Sequence, residues 1–125
     1  MNGSEIRDDI EKYTKILRIE LEDLEKDLLL MAEIYHQREQ KREITDYVFL
    51  ENLTLLQNEI SGIDNIINSL DEIKTEDFSS IQEFAEYISQ EFKKRIEDAG
   101  FPDSVFELVK RKLIKVSRYI LESED

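Results

Sequence analysis

The chain has 125 residues, no cysteine, one proline and a formal charge of −13, with 38% of its residues charged. The absence of cysteine excludes a disulfide framework, thiolate chemistry and a Cys/His zinc cluster. The acidity argues against nucleic acid or an anionic membrane as the main partner, because both attract basic surfaces.

One domain is expected from the length. The longest apolar run, Leu28–Ala32, spans five residues, far below the ~20 needed to cross a bilayer. With no N-terminal apolar segment to read as a signal peptide, a soluble cytoplasmic protein is expected.

A first helix is predicted over about residues 5–42, opened by Ser4 as a cap. Ile10, Tyr13, Leu17, Leu21, Leu24, Leu28, Met31 and Tyr35 form its apolar ladder. Steps of three and four residues put these side chains on one face. At ~1.5 Å per residue this helix exceeds about 50 Å. The steps of four and four around Leu17 form a stutter, which locally unwinds a coiled coil.

The polar run Glu39–Glu43 interrupts the pattern, and Thr45 caps a second helix over about 46–73. Its ladder is Phe49, Leu53, Leu56, Ile60, Ile63, Ile67 and Leu70. Gly62 lies inside it at a cost of roughly 1 kcal/mol relative to alanine, so close backbone approach or a bend is expected there.

Two shorter helices follow, over about 80–98 and 104–122. Ser79 with Gln82 reads as a capping box for the third helix, and Ser104 with Glu107 as one for the fourth. Gly100 and Pro102 stop the third helix. Phe78, Phe84, Phe92, Phe101 and Phe106 are expected to form the core where the short helices meet the long pair.

The fold class is therefore all-α: an antiparallel bundle of four helices, a long hairpin followed by two shorter helices. The short pair covers only part of the long hairpin. Either the long helices bend at the stutter and Gly62, or some apolar surface stays open for a second copy or another partner. A homodimer is favoured.

Charge is segregated along the chain. From Glu43 to Phe92 there are twelve acids and one base, Lys74. Asp46, Glu51, Glu59, Asp64, Asp71, Glu72, Glu83 and Glu86 are candidates for an acidic interaction surface. From Leu108 to Leu121 there are five bases and no acid, and Arg111, Lys115 and Arg118 share one helix face. These bases are expected to lie beside acidic helices.

Catalytic templates find little support. Glu33-Ile34-Tyr35-His36 has the Glu-x-x-His spacing that builds di-metal centres in some bundles, but two such motifs are required there and the chain has a single histidine. A lone weak metal site from Glu33, His36 and Glu51 is the residual candidate. Glu22-x-x-Glu25 and Glu43-x-x-Asp46 pair acids as Mg²⁺ sites do, yet a continuous helix places Glu25 and Glu43 ~25 Å apart. Three scattered glycines make no phosphate loop.

The leading expectation is a non-enzymatic protein–protein interaction module of adaptor, chaperone-like or inhibitor type. It needs no cofactor and uses acids to steer a basic partner. The alternatives are a carboxylate-based metal-binding or hydrolytic bundle, and a nucleic-acid mimic.

Overall fold

A computed structural model of the protein describes residues 3–123, with side chains from Glu5 onward. It contains α1 (Gly3–Gln40), α2 (Asp46–Ser69), a 3₁₀ turn (Leu70–Glu72), α3 (Ile81–Asp98) and α4 (Asp103–Ser123). The expected all-α architecture of a long hairpin followed by a shorter one is observed. The Ser4 cap falls outside the described side chains.

α1 ends two residues earlier than the apolar pattern suggests. Glu43 N–H donates to the Arg38 carbonyl (2.9 Å) and Arg42 N–H to the Glu39 carbonyl (3.0 Å). This is the Schellman arrangement, which requires a left-handed residue at its centre. Arg42 fills that position with φ of 59°. α3 ends the same way at Gly100, φ 74°, with Phe101 N–H on the Ile96 carbonyl. The glycine made the second ending legible; the arginine concealed the first.

Thr45 caps α2 as expected, its side chain accepting from Val48 N–H. The cap of α3 is shifted by one residue. Ser80, rather than Ser79, accepts from Glu83 N–H, and Glu83, rather than Gln82, reaches back to the Ser79 N–H and hydroxyl. Those bonds hold the Glu83 carboxyl below its ordinary range. The box expected at Ser104 and Glu107 does not form. α4 starts at Asp103, Val105 N–H donates to the Pro102 carbonyl, and the buried Ser104 hydroxyl has no hydrogen-bond partner among the described residues.

Pairings across the helices define the topology. Arg18 of α1 bonds Asp71 just after α2, and His36 stacks near Phe49, so α1 and α2 are antiparallel. Lys112 and Lys115 of α4 bond Glu20 of α1, and Lys12 lies over the Tyr119 ring. α4 therefore runs antiparallel to α1.

The core centres on the lower part of this bundle, the end away from the α1–α2 turn. Tyr13, Leu17, Leu21, Ile63, Ile66, Phe84, Ile88, Phe92, Val105 and Val109 are fully buried. Phe78, Phe101 and Phe106 are half-buried against this core. Tyr13 meets Phe84 edge to face at 5.5 Å, and its hydroxyl reaches the Leu113 carbonyl (3.1 Å) and Ser117 Oγ (2.6 Å). Burial pushes this phenol above its usual range.

Gly62 explains the closest helix approach. A Cβ there would lie 2.8 Å from both γ-carbons of Val105, inside the ~3.5–4.0 Å of ordinary carbon contact. The missing side chain lets the start of α4 sit directly on α2.

Candidate interaction surface

α4 begins at the level of Gly62, and the long hairpin continues past it. The α1 ladder records the change. Leu17 is 0% exposed, Leu28 remains buried, and Met31 is 44% exposed. Residues 29–40 of α1 and the facing start of α2 thus form a two-helix spur about 18 Å long. Of the two outcomes expected, a bend that buries everything within one chain or an apolar surface left open, the second is seen: the short pair covers one end of the hairpin, and Leu30, Met31 and Ile34 stay exposed at the other.

Helical register shows which face of the spur is open. On α2, Val48, Asn52, Leu55, Glu59, Gly62 and Ile66 step by 4, 3, 4, 3, 4, so they share one stripe. Its lower members Gly62 and Ile66 are buried, Gly62 against Val105. Its upper members Val48 and Leu55 are exposed.

On α1, Ile16, Glu20, Asp23, Asp27, Leu30 and Ile34 step in the same way. Glu20 lies against α4 through Lys112 and Lys115, while Leu30 and Ile34 are exposed. One groove therefore runs along the hairpin. α4 fills its lower part, and Leu30, Met31, Ile34, Val48 and Leu55 line the open part. Leu29, Tyr47 and Leu50 add further exposed apolar area elsewhere on the spur. Val48 and Leu55 lie off the Phe49–Leu70 ladder, on a second 4-3 stripe beside it that the spacing alone could have marked.

The acidic candidates separate into distinct groups. Asp71 bonds Arg18, and Glu72 bonds Arg95, each at 3.0 Å. Glu83 is occupied at the start of α3. Asp46 stands in the first turn of α2, where a negative charge suits the helix dipole. Glu51 and Glu86 are exposed. Asp64 is also exposed and sits against Glu25 of α1, where desolvation first, then the Asp64 charge and a shared hydrogen bond, raise the Glu25 carboxyl above its ordinary range.

Glu59 corrects the surface assignment. It is 8% exposed, on the groove stripe at the foot of the open part. Its carboxylate has no hydrogen bond or ion pair among the described residues. Segregation along the sequence is thus cancelled in space only at the turn after α2, where Asp71 finds Arg18 of α1 and Glu72 finds Arg95 of α3, while the acids of α2 itself have no ion-pair partner among the described residues.

The basic face of α4 also divides. Lys115 bonds Glu20 at 2.8 Å and Lys112 joins it at 3.1 Å. These cations hold the Glu20 carboxyl below its usual range. Arg118 borders a groove of about 660 Å³ between α3 and α4 that Glu86 and Glu122 also line. Arg111 is exposed.

Glu33, His36 and Glu51 do not converge. His36 is exposed, with its Nε2 3.3 Å from Gln40 Nε2. No three His, Asp or Glu side chains among the described residues are gathered so as to hold a metal ion. No helix among them is long and apolar enough to cross a membrane. No protein-family model, curated protein or solved structure matches the chain.

Proposed function

We propose that the protein is a non-enzymatic protein–protein interaction module, an adaptor, chaperone-like or inhibitor-type binder that docks by helix faces. The observation that carries this reading is the open apolar groove of the spur, bounded below by α4 and lined by Leu30, Met31, Ile34, Val48 and Leu55. Contiguous exposed apolar area of this kind marks interaction sites on monomers. Glu51, Asp64 and Glu86, which have no ion-pair partner among the described residues, contribute the field that favours a basic partner and raises its association rate.

The test is affinity capture with the native chain and with Leu30→Asp/Leu55→Asp, compared at low and high salt. Both positions are exposed, so circular dichroism of the variant should match the native chain. Proteins retained by the native chain and lost from the variant support the reading. Identical retained sets overturn the docking surface, and retention indifferent to salt removes the electrostatic part.

A further inference from the structure

We propose that the open groove of the spur is filled by the spur of a second copy, packed antiparallel about a two-fold axis. This rests on the spur being the docking surface and names its occupant. Length is the first argument. The groove starts where α4 begins, over Gly62, and stops at the turn after Gln40. A second spur has that same length, so its tip would abut the start of α4 and continue the covering that α4 provides below.

Charge is the second argument. Lys41 and Arg42 stand at the tip with no ion-pair partner among the described residues; Arg42 borders the same depression as Val48, which Glu39, Asp46 and Glu43, the last paired with Arg38, also line. Asp27, exposed, and Glu59, buried, lie at the foot and likewise have none. Tip-to-foot packing brings these bases to these acids.

The arrangement has a definite register. A two-fold axis across the helices lays α1 on the partner's α1 and α2 on the partner's α2. If it passes near Ile34 and Asn52, facing residue numbers sum to about 68 on α1 and about 104 on α2. Asp27 then faces the partner's Lys41, and Val48 faces the region of the partner's Leu55. Glu59 faces the partner's Thr45, in the turn between the partner's Arg42 and the partner's Asp46. The alternative two-fold, with both tips at one end, would set Asp27 against the partner's Glu59. Acid on acid, without water to screen it, disfavours that packing.

The experiment is sedimentation velocity over a wide concentration range on the native chain, Asp27→Lys, Lys41→Glu and the Asp27→Lys/Lys41→Glu pair. All these positions are exposed, so folding should be unaffected. The native chain should show a monomer–dimer equilibrium. Each single reversal should weaken it about tenfold or more, since two symmetry-related pairs are lost, and the double swap should restore it.

A chain carrying Ile34→Cys, with no other cysteine present, should cross-link to itself through a short bismaleimide, and Glu33→Cys should not. A monomer at every concentration overturns the second copy. If Leu30→Asp/Leu55→Asp still abolishes capture of other proteins, the docking reading survives that result; unchanged capture removes both. A dimer indifferent to the reversals, or one in which the Ile34→Cys chain fails to cross-link, overturns the register and with it the proposal.

Discussion

Replacing Gly62 by alanine adds one methyl group where α4 meets α2. The new Cβ would lie 2.8 Å from Val105 Cγ1, 2.8 Å from Cγ2 and 3.3 Å from Cβ. Rotation about the valine side chain cannot relieve this, because at least one methyl always remains toward α2. Overpacking of this kind costs about 1–3 kcal/mol, whereas alanine in a helix interior gains about 1 kcal/mol over glycine. The net expectation is a loss of about 1 kcal/mol, which the favourable propensity partly masks.

The diagnostic quantity is the change of sign when Val105 is shortened. Val105→Ala alone removes two buried methyl groups and should cost about 2 kcal/mol. In that background Gly62→Ala keeps only the 3.3 Å approach to the Cβ of residue 105, which a shift of a few tenths of an ångström into the new void relieves, and it regains the helix propensity, so it should stabilise by up to about 1 kcal/mol. The coupling between the two sites is then about 2 kcal/mol, within the range for residues in contact. Denaturant titration of the native chain, both single variants and the double variant measures it, with equal m-values as the condition for comparison. Gly62→Ala stabilising the native background, with coupling near zero, would refute the close approach.

Two carboxylates on α1 should respond to pH with opposite sign. Glu20 is held below its unfolded value of 4.5 by Lys115 and Lys112. Its contribution is present above that value and is lost as pH falls through the native pKa. Glu20→Gln should therefore cost about 1–2 kcal/mol at neutral pH, and the difference from the native chain should shrink in acid. Glu25, raised by desolvation and by Asp64, behaves in reverse. It favours the native state below 4.5, and that advantage is lost as pH rises through its native pKa. Glu25→Gln should raise the melting temperature at neutral pH and reduce its pH dependence; a lower melting temperature there would contradict the carboxyl–carboxylate contact.

Most of the fold was legible because it rests on local rules. A ladder such as Phe49 to Leu70 has its period whatever it packs against, and Thr45 and Gly100 mark helix ends by their own chemistry. The errors came where local signals competed. Ser79 and Ser80 both suit a cap, and the choice fell to the serine whose geometry placed Glu83 behind it. Ser104 has the right spacing for a capping box, but Pro102 already supplies the turn from which α4 begins. Arg42 adopts a left-handed conformation that composition did not announce.

The candidate site was legible only as a shortage of covering. The lengths of the helices showed that the short pair could not cover the long one, but not which end would remain open. That was decided by Gly62, which seats Val105 on α2, and by Tyr13 and Glu20, which bind α4 to the lower part of α1. The acidic run from Glu43 to Phe92 was equally incomplete as a guide, since Arg18 and Arg95 approach Asp71 and Glu72 only after the chain folds.

Periodicity, caps and breakers act within a few residues, so the helices, their order and the faces that seek burial are written in the linear chain. Where coverage stops, which acids lack a cation among the described residues and the burial of Glu59 are settled by packing. Those properties depend on which distant side chains meet, and no local pattern of residues contains that information.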